Sequence, residues 1–439
     1  MNKKFIRWLY EELPELVSRG VVSGDVAEKL REHYGDVEGQ SGHRIALTVC
    51  SILGSLLIGA GIILLLAHNW EDLSRAVRTI LALTPLIVSQ AIAIWGVRKG
   101  KSSAAWCEGI STFIALAVGA SIALVGQTYH IPGDVGSFLL TWMLITVPLV
   151  YVMGASLPCV LYFAGITAWS GYEQEMGGHA LLFWPLFALA IPHIWQEWQK
   201  NPYSPRSVAL GWAASLCLCA ATGITLEKVV PGLWIIVYSA MLAALYLAGG
   251  YWFSEAPTTA QRPLHSVGAV GIAVLSLLFT FEFPWKEIGW HHYRYDARFH
   301  EYAAWADYLL ATALPVCALC LLVTSVRRGQ KSRILFGMMP IIAIIGYGLT
   351  VCGQDEFSAM MLFNAYMFAL GLGTVIHGTR NLHIGTVNGG MLILTALIIA
   401  RFFDSDLGFV ARGIAFILIG AGFLVTNIIL VKRAKGGSQ

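Results

Sequence analysis

The stretch "LLLAHNWEDLSRAVR", residues 64–78, decides the fold class. A long apolar run stops at His68, polar and acidic residues follow, and a second apolar run begins around Arg78. Similar runs recur along almost the whole chain, and most approach the roughly 20 residues that a helix needs to cross a bilayer. The pattern predicts an all-α, polytopic membrane protein, because a β-barrel would show short segments of alternating hydrophobicity instead.

The composition also indicates a membrane protein. The chain has 439 residues, of which 56% are hydrophobic and 13% are charged, whereas soluble domains carry about 25% charged residues. The net charge is only +3, and Lys and Arg lie in loops, so we expect membrane lipid as a partner and no nucleic acid. No phosphate-binding loop, dinucleotide fingerprint or hydrolase motif carries weight, so we expect no cofactor.

The first 43 residues are more polar than the rest of the chain. "FIRWLYEELPELVSRG" has helical spacing and ends at Gly20, and "SGDVAEKLREHYG" predicts a second short helix that begins at Ser23 and stops at Gly35. Two short helices bury little core alone, so they are expected to pack on each other, on the membrane domain or on a cytoplasmic protein partner. Residues 44–431 are then the transmembrane domain, and 432–439 are a basic tail.

We predict about fourteen transmembrane helices. Their approximate bounds are 45–67, 77–96, 105–125, 138–153, 155–170, 180–195, 207–224, 231–253, 265–283, 305–326, 334–352, 357–379, 385–403 and 410–431. The fourth, fifth and sixth segments are short and contain prolines, so one pair of them is a candidate for a re-entrant hairpin.

The basic residues predict the orientation. With a cytoplasmic N-terminus, 21 of the 29 Lys and Arg residues fall on the cytoplasmic side, as the positive-inside rule requires. An even number of spans places the C-terminus on the same side. The sequence therefore predicts a multi-pass protein of the bacterial inner membrane with both termini in the cytoplasm.

The opening stretch has a counterpart near the other end of the chain, "LIIARFFDSDLGFVAR" at 397–412. Asp72 precedes Arg78 at the same spacing at which Asp406 precedes Arg412. Both hairpins face outward in the predicted topology, so the repeat is parallel rather than inverted. Two further outward loops are "GQTYHIPGDVGS" at 126–137 and "GQDEF" at 353–357.

Two interpretations of these polar residues are open. In the first, Asp72 and Asp406 cap or precede the helices that follow, and Arg78 and Arg412 pair with carboxylates and reach the interface. In the second, charge near the hydrocarbon edge is retained for function, and the polar residues line one outward-facing substrate-binding site. That candidate site consists of Asp72, Arg78, Gln127, Tyr129, His130, Asp134, Arg401, Asp404, Asp406 and Arg412.

A candidate metal site lies in "HHYRYDARFH", residues 291–300. If this loop is helical, His292, Asp296 and His300 share one face, and two imidazoles with one carboxylate can hold zinc with an open position. The alternative is that they are ordinary residues of the membrane interface.

Several of these stretches resemble a bacterial family of predicted membrane proteins, known as domain of unknown function twenty-one fifty-seven. The resemblance lies in "LVSRGVVSGDVAEKLREHYG" (16–35), "HNWEDLSRAVR" (68–78), "GQTYHIPGD" (126–134) and "ARFFDSDLGFVARGIAFILIGAGFL" (400–424). It covers both ends and the first four spans, whereas about 155–330 match no motif. The resemblance implies an inner-membrane protein and assigns no catalytic residue.

Three functions fit the sequence. Many spans, proline-interrupted segments and polar span ends favour transport or flipping of a lipid or cell-envelope precursor. A membrane-embedded enzyme is the first alternative, with carboxylates and His130 as acid or base on a lipid-linked or glycan substrate at the periplasmic face. The second alternative is a scaffold or sensor that binds a cytoplasmic partner through residues 1–43.

Overall fold

The computed structural model describes residues 3–34, 73–100, 103–226, 232–253, 258–286, 288, 302–353, 356–404, 417, 420 and 421. Every regular element in these ranges is helical, as the sequence predicts. The chain divides into two compact units, Met1–Ile80 and Leu81–Gln439.

The first unit begins with the predicted helical pair. Helix α1 spans Lys3–Ser18 and helix α2 spans Gly24–Tyr34. The two helices pack against each other, and Leu13 of α1 is buried. Gly20 adopts a left-handed conformation with φ of +70°, which explains why α1 ends where the sequence places its stop.

The following helices start near the end of the first unit and extend to residue 225. Their bounds are α3 Arg75–Arg98, α4 Ala104–Tyr129, α5 Val135–Met153, α6 Leu157–Met176, α7 Phe183–Ala188, α8 Ile191–Lys200 and α9 Pro205–Thr225. Helix α6 packs on α4, α5 and α9. Phe163, Phe183 and Phe187 form the centre of this part of the core.

The remaining helices pack around α10. Their bounds are α10 Leu233–Trp252, α11 Pro263–Leu278, α12 Phe283–Lys286, α13 Tyr302–Arg327, α14 Ile334–Gly337, α15 Met339–Gly353, α16 Glu356–Arg380 and α17 Ile384–Asp404. Helix α10 is mostly buried and contacts α11, α13 and α15, while α17 packs on α16 and α11. Three aromatic rings, those of Phe279, Trp285 and Phe363, fill the core at one end of these helices.

The predicted number of about fourteen spans is not confirmed. Within the described ranges, nine helices are long and apolar enough to cross a membrane by length and composition. The predicted segment 180–195 is not one helix, because the chain turns at Leu189 and Ala190 between α7 and α8. The predicted segment 265–283 contains a 16-residue helix, α11, followed by a turn and α12. Segments 45–67 and 410–431 lie largely outside the described residues.

Candidate functional site

The two polar hairpins that motivated the sequence-based site lie mostly outside the described residues. Asp72, Asp406 and Arg412 fall outside, and the backbone alone of Asp404 is described, as the last residue of α17. Arg78 is described, and its Nε donates a hydrogen bond to the carbonyl oxygen of Leu73 at 2.9 Å. This contact ties the Arg78 side chain to the preceding turn.

The loop at 126–137 joins α4 to α5, and its predicted site residues have structural positions there. Gln127 and Tyr129 belong to the last turn of α4, and His130 caps that helix in a left-handed conformation with φ of 48°. Asp134 is the N-cap of α5, and its Oδ1 accepts a hydrogen bond from Ser137 N at 2.6 Å. Asp134 therefore acts as a helix cap.

Arg401, in the last turn of α17, lies in a polar contact between three elements. Its guanidinium donates to the hydroxyl of Thr280 at 3.3 Å and lies 4.9 Å from the ring centre of Phe281. Asn364 of α16 donates to the carbonyl oxygen of Thr280 at 3.3 Å. We call this group, formed by Thr280, Phe281, Asn364 and Arg401, the Arg401 end. Of the predicted site residues, Arg401 is thus placed by tertiary contacts, in the part of the bundle where α17 meets α11 and α16.

The predicted metal site cannot be located, because His292, Asp296 and His300 lie outside the described residues. In the part of the chain that the structure describes, no group of three His, Cys, Asp or Glu side chains is arranged to hold a metal ion.

A groove of about 410 Å³ lies between α11, α16 and α17. Its volume falls within the range of about 300–1,000 Å³ that is usual for small-molecule sites. Its lining is mostly aliphatic, and the residues are Tyr246, His265, Ala269, Val270, Ala273, Val274, Leu277, Phe336, Met367, Thr374, Thr386, Gly389, Leu392, Ile393 and Ala396.

The groove follows the helix axes. Along α11 the lining extends from His265 to Leu277, a separation of 12 positions that corresponds to about 18 Å at the helical rise. Thr280 of the Arg401 end follows one turn later. At the groove's mouth, Val270, Val274 and Leu392 are 64%, 62% and 71% exposed. An apolar channel with an apolar mouth of this kind is suited to hydrocarbon rather than water.

The opposite end of the groove is aromatic and polar. The His265 ring stacks on Tyr246, with ring centres 4.4 Å apart, and Tyr246 stacks on Phe336 at 4.8 Å. Glycines make this stacking possible, because a Cβ atom on Gly249 would collide with the backbone of His265 and one on Gly268 would collide with the backbone of Tyr246. We call this group, formed by Tyr246, His265 and Phe336, the His265 end.

The groove is open because of two adjacent glycines of α17, Gly389 and Gly390. A Cβ atom on Gly390 would lie 2.7 Å from Val375 N and 2.8 Å from Gly371 O, so α16 and α17 touch at backbone level there. A Cβ atom on Gly389 would meet nothing within 4 Å, because this glycine faces the groove. One glycine brings the helices together, and its neighbour leaves space beside the contact.

Sequence reasoning missed the groove. The sequence shows small residues at helical spacing, such as Ala269 and Ala273 of α11, but such residues usually mark tight helix packing. Distinguishing Gly389 from Gly390 requires the position of α16, which no local pattern supplies.

A second polar cluster joins helix ends elsewhere in the second unit. Oε1 of Glu108 accepts from Arg206 Nε at 2.8 Å, and Oε2 of Glu108 accepts from Leu157 N at 2.7 Å. Ser156 N also donates to this carboxylate, at 2.9 Å. The predicted topology places these residues at one side of the membrane, and the structure brings them together. The Glu108 carboxylate accepts hydrogen bonds from the backbone amides at the start of α6 and forms an ion pair with Arg206. These contacts connect three helices, so we regard the cluster as a structural joint.

The fold defines a polytopic helical membrane protein with a mostly apolar groove among its helices. Residues 14–159 match the model of the family described as Predicted membrane protein (DUF2157), which confirms the resemblance seen in the sequence over about a third of the chain. The groove lies outside the matched residues. No curated protein and no solved structure matches the chain.

Proposed function

We propose that the protein transports or flips a lipid or a cell-envelope precursor across the bacterial inner membrane. In this proposal the groove holds the hydrocarbon part of the substrate, and polar groups at its two ends interact with the head group. The Arg401 end belongs to the outward-facing polar site, and both chain termini lie in the cytoplasm. In the same proposal, the hairpin residues Asp72, Asp406 and Arg412 belong to the outward-facing substrate-binding site.

The observation that supports the proposal is the groove's polarity along its length. Apolar surface lines its middle, and His265 lies at one end of the lining. At the other end the lining stops at Leu277 and Ala396, three and five residues before Thr280 and Arg401. The acyl chain of an amphiphile can therefore lie in the groove while polar groups beyond its ends hold the head group. Polar groups near the hydrocarbon are costly, so their presence beyond both ends favours an amphiphilic substrate.

The N-terminal helices support a separate, subsidiary proposal. Val21 is 69% exposed and Val26 is 47% exposed, so the pair presents apolar side chains that a protein partner would cover. We propose residues 1–43 as a docking segment for a cytoplasmic partner.

The test of transport is a flipping assay with a matched pair of variants. Purified protein is placed in phosphatidylcholine vesicles with a trace of fluorescent phospholipid, and the fraction reached by an external quencher is followed with time. Gly389→Leu places a side chain in the groove, while Gly348→Leu changes a glycine of α15 whose Cβ would also meet nothing within 4 Å.

We expect the wild type and Gly348→Leu to flip the lipid at similar rates. Gly389→Leu should be slower by about tenfold, since overfilling an occupied site costs about 1–3 kcal/mol. Flipping that does not depend on the protein, or equal rates in both variants, would contradict the proposal.

A further inference from the structure

Two arginines lie near the His265 end of the groove. Arg262 is the residue before α11, and Arg333 comes directly before α14. Both are half-buried. Arg262 lies three residues before His265, and Arg333 lies against Gly250, whose neighbour Gly249 lies against the backbone of His265. Two guanidinium groups and an imidazole are therefore concentrated where the apolar groove begins.

The position of Arg333 is fixed by its neighbours. Its Nη1 donates to Oε1 of Gln330 at 2.7 Å. Its guanidinium lies against the backbone of Gly250 in α10, where a Cβ atom would collide with it. Among the described residues, no carboxylate forms an ion pair with Arg333. The two described groups that hold this cation, the Gln330 amide and the Gly250 backbone, are both neutral.

The adjacent basic residues differ from Arg333 in exposure. Arg327, Arg328 and Lys331 are exposed, and charges in loop water are what the positive-inside rule describes. A half-buried guanidinium beside an apolar groove has lost part of its hydration, and this loss costs free energy. The positive-inside rule needs only exposed charges and does not explain this burial. A bound anion would offset this cost.

We propose that the groove binds an anionic phospholipid, with an acyl chain along α11 and α17 and the phosphate at Arg262, His265 and Arg333. This inference rests on the proposed function and names its substrate class. Guanidinium groups match phosphate oxygens in geometry and charge. The groove length of about 18 Å corresponds to 12 helical residues and accommodates a fatty acyl chain.

The experiment is native mass spectrometry of the full-length protein in mild detergent, titrated in parallel with phosphatidylglycerol and phosphatidylcholine. We expect the wild type to bind phosphatidylglycerol more tightly. Arg333→Gln should lower that affinity about fivefold, since one cation near an anionic lipid contributes about 1 kcal/mol. Arg333→Lys should retain most of the preference. Arg327→Gln, which changes an exposed arginine at the end of α13, should retain all of it.

Three results would overturn the inference: equal affinity of the wild type for the two lipids, an unchanged preference in Arg333→Gln, or displacement of the lipid by millimolar inorganic phosphate. The last would show that the cations bind free phosphate without the groove. Selective phosphatidylglycerol binding without flipping would support the inference and contradict transport. Flipping without a preference for phosphatidylglycerol would support transport and contradict the inference.

Discussion

The Glu108 carboxylate and the Arg206 guanidinium form an ion pair across 98 positions of sequence, with Oε1 and Nε 2.8 Å apart. The Glu108 side chain is 12% exposed and that of Arg206 is 27% exposed. The same carboxylate accepts the first amide hydrogens of α6, so one side chain joins α4, α6 and the start of α9. Because little water is available to replace these contacts, the joint should contribute measurably to stability.

Glu108→Gln tests this joint. We expect it to lower the free energy of unfolding by about 2 kcal/mol, since an amide loses the ion pair and half of the acceptor capacity. Denaturant-induced unfolding in detergent measures the change. Glu282→Gln is the control, because its pair with Lys286 is 56% exposed on both sides and exposed pairs contribute little. Equal effects of the two variants would show that Glu108 is not a joint.

Alanine at two neighbouring positions of α17 tests the helix contact beside the groove. Gly390→Ala should destabilise the protein by about 1–3 kcal/mol, because its Cβ meets the backbone of α16. Gly389→Ala should be neutral or stabilising by up to about 1 kcal/mol, because its Cβ enters open space and alanine favours helix. The thermal unfolding midpoints of the two variants, compared with that of the wild type, measure these changes in stability. A larger loss at Gly389 would contradict the assigned faces of α17.

Burial makes His193 a source of pH-dependent stability. It lies on α8, outside the long apolar helices, and burial lowers its pKa from the ordinary value. As the pH falls below about 6.5 the unfolded chain takes up a proton that the folded protein resists. Stability contributed by neutral His193 should therefore be lost on acidification.

The measurement is the thermal midpoint between pH about 7.5 and about 5.5, a window that spans the ordinary histidine pKa. His193→Gln should show a smaller fall than the wild type. His179→Gln, at an exposed position, should fall as far as the wild type does. Identical pH profiles for all three proteins would contradict the role of His193.

The repeated hairpins give a prediction that rests on the sequence. Asp72→Asn and Asp406→Asn should each impair stability or flipping far more than Glu173→Gln in the last turn of α6. Thermal unfolding measures the effect on stability, and the vesicle assay measures the effect on flipping. Equal behaviour of the three variants would remove the special role of the hairpins.

The helical class and the bounds of most long helices could be predicted from the sequence. A continuous apolar run such as that of α10 can form little other than a helix in a membrane, because its backbone groups must be hydrogen-bonded within the segment. Prolines suggested that one pair of the segments 138–153, 155–170 and 180–195 is re-entrant, but they did not predict the turn at Leu189 and Ala190, which depends on packing of α7 and α8. Arg401 was identified as a polar residue at a span end, whereas its partner Thr280 lies 121 positions away. The groove escaped prediction since its opening depends on which of two adjacent glycines faces α16.

The most direct test of lipid in the groove is photo-crosslinking with a phospholipid whose acyl chain carries a diazirine, followed by mapping of the labelled residues. The groove predicts labels concentrated on Val270, Val274 and Leu392, and their loss in Gly389→Leu but not in Gly348→Leu. Labelling of Val316 and Val323, exposed residues of α13, to the same extent in every variant would show only surrounding lipid. That result would contradict the groove as the substrate site.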